Sequence, residues 1–545
     1  MIMAQKKRSF LAKWGSAIGL CLTLFVVAFN VSVIPAIMPR IVRDLDSSIG
    51  YVQAALVLLA LVKASFAPTC ENLIKRFGRK PVFLTGLVLF ALGTIATSQS
   101  QSIGIFVVSY SLICGLGATP LISSPRELIG RFNSEKAAIY SQLVLIVSSI
   151  LGGLTGAILG GLIASNFGWR WSLLPQLIIV PIIAFLVRKV PHNIPLQTEP
   201  LDWIGGLLSF LGFGLTLLGV SLAGEYGWWF PKQQFKILDL VIPPFSLSIV
   251  PLLIATGIIC LSIFIAWQRQ QAQQGKTSVV RLGLLRYKPF LLCLFTASLH
   301  TLITTGIQFN LYQFLPAVLN LNPFQTALAV LPFSLATLFV VILATFKLVK
   351  KVNPKQVIYS GLALFCLGIW QLYSAIDLQM KALDILPALV IMGAGSGLFL
   401  AQIGITTFST VQHEELAEAT GVYNPLQNLG NALGRGILGS VLIVTASANI
   451  VDKVVTELGK TITSAQRTRA IQVLEKVIQT YTSDERREFF SQLPAAIQPS
   501  LNPIINSSAV EAMRTSVTIA FIFSILCLIS AFFIPKRYTT IHLKA

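Results

Sequence analysis

Charge is what this chain has least of. Only 11% of its 545 residues are Asp, Glu, Lys or Arg, against 54% hydrophobic, and its mean hydropathy is +0.76. A soluble protein needs roughly 25% charged residues to cover its surface, so lipid must solvate most of this chain. Acidic residues are scarcer than basic ones, 21 against 41. A net charge of +20 would suggest nucleic acid on a soluble protein, but here the basic residues sit in short loops between apolar runs, and no nucleic-acid partner is expected. The seven cysteines all fall inside or at the end of apolar runs and none has CxxC spacing, which excludes a disulfide framework or a cysteine metal site. There is no P-loop, no nucleophile elbow and no cluster of His, Cys, Asp and Glu at ligand spacing. ATP-driven pumping, enzymatic chemistry and a bound cofactor or metal are therefore not expected. Lys6, Lys7, Arg8 and Lys13 precede an apolar run too long for a signal peptide, with no cleavage site after it, so the first span is expected to stay.

What is present is a series of apolar runs, each long enough for a helix of about 20 residues to cross the hydrocarbon. They lie near 16–38, 51–70, 82–99, 103–124, 138–163, 172–188, 203–223, 246–267, 290–317, 324–346, 356–374, 385–409, 420–447 and 514–534. Fourteen spans put both termini on one side. With that side cytoplasmic, the inner segments carry 25 Lys and Arg and the short outer loops six, the sign expected of a multi-pass plasma (inner) membrane protein. The outer segment 447–513 is polar and helix-prone. Ile471, Leu474, Val477, Ile478 and Tyr481 share one helical face, and Thr482 with Glu485 has capping-box spacing. It reads as an amphipathic lid on the outer mouth or headgroups, or as a docking element for a protein partner.

Two inner loops look alike: Asn72-Leu-Ile-Lys-Arg-Phe-Gly-Arg-Lys-Pro81 and Lys347-Leu-Val-Lys-Lys-Val-Asn-Pro-Lys355. A duplicated bundle gives such a repeat, and paired bundles that rock about a midplane site are a transporter architecture. Gly152-x-x-x-Gly156-Ala157-x-x-Gly160-Gly161 places small residues on every fourth position, a face for close helix packing.

On these residues the chain resembles the major facilitator superfamily, and within it the fourteen-helix drug–proton antiporter branch. Leu73-Ile-Lys-Arg-Phe-Gly-Arg-Lys80 is similar to the loop signature between spans two and three, so Glu71, Lys75, Arg76, Gly78, Arg79 and Lys80, with Lys350 and Lys351 in the second loop, become gating-loop candidates. Gly152, Gly156, Gly160 and Gly161 resemble the span-five motif, and Gly168-Trp-Arg-Trp171 an outer-loop tetrapeptide. Asp202-Trp203-Ile204-Gly205 and Gly224-Glu-Tyr-Gly-Trp228 resemble the branch's extra helix pair. The resemblance implies an all-α membrane bundle: a six-helix half over 1–190, an inter-bundle segment with two extra helices over 191–288, and a second six-helix half over 289–545 that includes the outer insertion. It implies export of a small solute by alternating access, in contact with membrane lipids and with protons as the coupling ion.

The chain departs from that pattern where coupling would reside. The loop signature's Asp falls on Lys75 and on Lys350, its leading Gly on Glu71, the acidic residue of span one on Asn30, the Arg of span four on Ser111, and the Pro of span five on Ala157. Proton coupling needs a titratable group in the path, and the remaining candidates are Lys63, His300 and Arg435, each well inside a span. Polar residues on the family's cavity-lining spans are Asn30, Ser32, Gln142, Gln308, Asn310, Gln402, Asn424, Gln427 and Asn428. As a set they describe a polar cavity without a buried carboxylate for a cation. That composition suits a hydroxyl-rich or mixed-polarity solute better than a strongly cationic drug, whereas the resemblance implies an amphiphilic, drug-like one. A saccharide or glycolipid transporter and a non-transporting scaffold or sensor on the same fold are the alternatives.

Overall fold

The computed structural model describes residues 10–47, 49–130, 135–188, 202–227, 229, 236–237, 240–241, 247–274, 287–321, 323–348, 352–411, 416–480, 488–492 and 497–534. The described chain is helical apart from a two-residue antiparallel pairing of β1 (Lys236–Ile237) with β2 (Leu240–Val241). Lipid offers no partner for a backbone N–H or C=O, so an apolar run of this length must satisfy its own hydrogen bonds as a helix.

In chain order the helices are α1 (Phe10–Asp44), α2 (Ile49–Phe77), α3 (Arg79–Ser98), α4 (Ile103–Val107), α5 (Cys114–Gly130), α6 (Glu135–Phe167), α7 (Leu174–Val187), α8 (Trp203–Tyr226), α9 (Ile249–Gln273), α10 (Lys288–Leu319), α11 (Pro323–Leu343), α12 (Pro354–Ala375), α13 (Leu386–Ser409), α14 (Leu416–Glu457), α15 (Ser464–Thr480) and α16 (Gln498–Phe532). A π-helical turn over Val108–Ile113 joins α4 to α5, making one span. Twelve described segments are long and apolar enough to cross a membrane. In α2 and α8 the described apolar stretches are Ala54–Ala67 and Trp203–Thr216, inside helices of 29 and 24 residues. Exposed Ile178, Phe185, Trp370 and Ile522 leave an apolar exterior that water would not tolerate and lipid does.

Apolar side chains gather in two large cores, one drawn from Leu20 to Val187 and the other from Phe290 to Ile534. The contacts within them repeat. In the first, α6 packs on α1 and α5 on α3; in the second, α14 packs on α10 and α13 on α12. The two sets meet where α2 packs on α14 and α6 on α11. The inserted pair lies on the first of these seams: α8 touches both α2 and α14, and Phe264 of α9 packs with Leu208 and Val422.

Glycine sets the closest approaches. A Cβ at Gly156 would stand 2.6 Å from the Phe29 carbonyl oxygen, and Gly152 and Gly160 abut Phe25 and Val33 on the same face of α1. In the second half, Gly430 and Gly434 lie against Ser298 and Leu302 of α10 in the same manner, a stripe that sequence inspection passed over. Gly161 belongs to neither face, since nothing lies within 4 Å of a Cβ built there.

The segment 447–513 is built in part from its neighbours. The helices α14 and α16 run on into it, to Glu457 and from Gln498, and α15 packs on the extension of α14 and reaches α2. Its small core joins Ile450, Val451, Leu474 and Ile504, with Ile471 and Ile478 alongside. The expected apolar face of α15 is thus spent on protein. Tyr481 and the Thr482–Glu485 pair fall outside the described residues.

Candidate translocation site

The faces of α14 can be read from what each residue touches. Gln427, Gly430, Asn431, Gly434 and Leu438 turn to α10: Gln427 accepts from Thr301, Asn431 accepts from Thr305 at 2.7 Å, and the Leu438 carbonyl accepts from Asn310 at 3.0 Å. Leu429 and Ala432 turn the other way, to Leu58 and Leu61 of α2 and Leu218 of α8. At about 100° per residue, Arg435 and Asn428, seven residues apart, share the stripe between those two faces. That stripe looks into the space between the halves.

On α2, Leu61 and Ser65 face α8, while Leu59 and Val62 face α5. Lys63, two residues and about 200° from Leu61, turns away from α8 toward the bundle interior. Its side chain is 8% exposed, and it lies within electrostatic reach of Arg435, like charge against like. Arg435 also reaches Tyr110 of the opposite half, whose hydroxyl donates to the Asn30 carbonyl at 3.2 Å. Among the described residues neither Lys63 nor Arg435 makes a hydrogen bond or an ion pair.

The remaining candidates are distributed differently. Asn30 is buried and its amide donates to Gln176 of α7 at 3.1 Å. Ser32 is half-buried against Gly153 of α6. Asn310 is buried and also donates to Ser516 of α16 at 2.7 Å, tying three helices together. Gln402 is buried, with its amide nitrogen lacking a partner among the described residues, and Gln308 is half-buried. The side chains of Gln142 and Asn424 lie outside the described set. His300 sits between Phe365 and Phe399, its ring centroid 4.8 and 4.4 Å from theirs, with Nε2 3.1 Å from the Ser396 hydroxyl. It belongs to the packing of α10 on α12 and α13.

In the first basic loop Gly78 takes φ 85°, which lets α2 turn into α3 with no intervening loop. Arg79 pairs with Glu71 at 3.5 Å, both buried, so the span does hold a buried carboxylate, at the end of α2 and not between the halves. Lys80 donates to the Arg188 carbonyl at the end of α7, at 2.7 Å. Lys355 in the second half donates to the Phe532 carbonyl at the end of α16, at 2.5 Å. Each half thus uses one loop lysine to satisfy the last turn of its final helix, where the helix dipole favours a cation. Arg76 lies over the Phe77 ring; the Lys75 side chain, Lys350 and Lys351 are outside the described set.

The profile of the Major Facilitator Superfamily matches residues 20–434. The chain belongs to the Major Facilitator Superfamily. It is a membrane transporter by family and not an enzyme. A multidrug transporter protein, MdtP, of Bacillus subtilis is 22% identical over 524 residues, covering 94% of this chain and 90% of that one. The multidrug resistance protein Stp of Mycobacterium tuberculosis is 25% identical over 433 residues, covering 79% and 76%. Among solved structures, a bacterial homolog of the human lysosomal transporter Spinster superposes with TM-score 0.57 at 14% identity, covering 98% of this chain and all of that one. The proton:xylose symporter XylE gives TM-score 0.54 at 12% identity, covering 88% and 96%. At such identities the structural likeness speaks for the fold alone.

Within this family fold, the outer tetrapeptide acts as a clamp. Trp169 donates to Asp44 at 2.9 Å, and Arg170 reaches Asp44 at 3.3 Å and the Ser100 carbonyl at 3.1 Å. Asp202 clamps the inserted pair: it accepts from the Gly205 amide at 2.7 Å, Trp267 at 2.9 Å and Gln268 at 2.7 Å. Tyr110, Gln176 and Asn431 were missed in the sequence. Gln176 is a lone polar residue in an apolar run, and that isolation was the available signal; Tyr110 stands between two serines and Asn431 three residues after Asn428.

Proposed function

We propose that the protein is a secondary active exporter of an amphiphilic solute, with fourteen spans and both termini in the cytoplasm, that binds its solute between the two halves. The observation that carries the reading is a buried Lys63 on α2 within electrostatic reach of Arg435 on α14, two helices of different halves that pack together. Polar and charged groups that cost free energy in a membrane interior are kept where a solute can use them. The relatives named as multidrug proteins support export, and the 25-to-six asymmetry of basic residues supports the orientation. The seams α2–α14 and α6–α11 are the surfaces about which two bundles would rock.

Proton coupling through His300 is not part of this reading. Its ring is held by Ser396 and two phenyl rings within one half, away from the seam. The test is flux of a panel of amphiphilic dyes in proteoliposomes, with and without ion gradients. Gradient-dependent flux that fails in Arg435→Gln supports the reading, and no flux for any member of the panel defeats it.

A further inference from the structure

We propose that Lys63 and Arg435 together form a binding site for an anionic group, so that the solute is an amphiphilic acid. The site rests on the exporter reading above and narrows its substrate class. The two cations come from different halves, on helices packed against each other through Leu61 and Ala432, and lie within electrostatic reach of one another. Each is well inside its helix. Glu71 is the nearest acidic residue on α2, eight positions and about 12 Å of helix rise from Lys63. On α14, Glu418 and Asp452 are each seventeen positions from Arg435, about 25 Å of rise.

A structural intramembrane cation is paired, as Arg79 is with Glu71. Lys63 and Arg435 are instead set against each other, and an arriving anion would relieve both at once. The guanidinium offers a planar fork that fits a carboxylate, sulfonate or phosphate, and the ammonium a point charge beside it. Tyr110, within reach of Arg435, and Asn428, on the same stripe of α14, add polar groups around that position. A cationic drug would meet two like charges with no carboxylate between the halves among the described residues.

The test uses full-length protein in phosphatidylcholine nanodiscs and two fluorescent probes that share a ring system: anilinonaphthalene sulfonate, and phenylnaphthylamine, which lacks the sulfonate. Saturable sulfonate binding should weaken by about tenfold to a hundredfold in Lys63→Met and in Arg435→Gln. Arg435→Lys should retain part of it, and phenylnaphthylamine binding should not change. Equal sulfonate binding by wild type and a monodisperse Lys63→Met protein overturns the site, as does a parallel loss of both probes. Adding anionic phosphatidylglycerol to the nanodiscs separates two sources of the anion. Competition in wild type alone places a lipid headgroup at the two cations, and its absence places a solute acid there; both retain the site. Phenylnaphthylamine and sulfonate flux in proteoliposomes separates this proposal from the exporter reading. Flux without preference for the acid removes the site and leaves the exporter, whereas Lys63-dependent binding without flux of either probe does the reverse.

Discussion

Replacing Gly156 by alanine adds a single methyl group to a face with no room for it. The new Cβ would stand 2.6 Å from the Phe29 carbonyl oxygen and 2.9 Å from its Cα, and ordinary contact begins at 3.4 Å. Both obstacles are backbone, so no rotamer change helps and α1 and α6 must part locally by about 0.8 Å. A gap of that size forfeits a quarter to a half of each dispersion contact it opens. Gly152 and Gly160, one turn away on either side, lie on the same face and would share the displacement. Overpacking of this kind costs about 1–3 kcal/mol. Gly161→Ala is the control, because nothing lies within 4 Å of its Cβ. The assay is the temperature at which half the protein in neutral detergent loses its monodisperse peak. Gly156→Ala should lower it clearly and Gly161→Ala should not. Flux per folded molecule should be preserved, since α1 and α6 belong to the same half and move together. Equal midpoints for the two variants would refute the packing argument.

Lys63→Met should raise the same midpoint, because it removes an unpaired cation that costs up to about 2.5–3.5 kcal/mol at mid-span, while lowering acid binding; a fall would reveal a stabilising partner for the ammonium. Asp202→Ala should cost about 2–4 kcal/mol, since it strips three hydrogen bonds, two of which tie it to α9. Limited proteolysis between α8 and α9 should quicken accordingly, and unchanged cutting would show the clamp to be idle. His300→Gln should leave the dependence of flux on a pH gradient as it is in wild type, measured in proteoliposomes with imposed gradients. Loss of that dependence would return His300 to the coupling path.

Much of the fold was legible because lipid imposes a simple rule: an apolar run of span length becomes a helix. Lys63 stands inside the apolar stretch Ala54–Ala67 of α2, and the 29-residue helix runs through it. Beyond the membrane the rule says nothing. The extensions of α14 and α16 are ordinary amphipathic helix, and only their contacts with α15 show that the outer segment is a small helical core. The Gly152 stripe was visible as spacing, whereas Gly430 and Gly434 stand among Gln427, Asn428 and Arg435, which drew attention to polarity and hid the packing face.

The candidate site was less legible, because a sequence shows that a residue is polar but not which side of a helix it occupies. Asn30, Asn310 and Gln427 have the composition of cavity residues, yet their amides are engaged by Gln176, Ser516, Leu438 and Thr301 on neighbouring helices of their own half. The basic loops carry the same ambiguity. Lys80 and Lys355 fit the inside rule, and each also caps the last helix of its half, a role that charge counting cannot separate from the first. What distinguishes Lys63 and Arg435 from all of these is the lack of any such engagement at a position where it is expensive to go without. A pair of charges needed only for architecture would be matched within one half, as Glu71 and Arg79 are. Unmatched, of one sign, and divided between the two bodies that must move past each other, they are arranged for a partner that arrives and leaves.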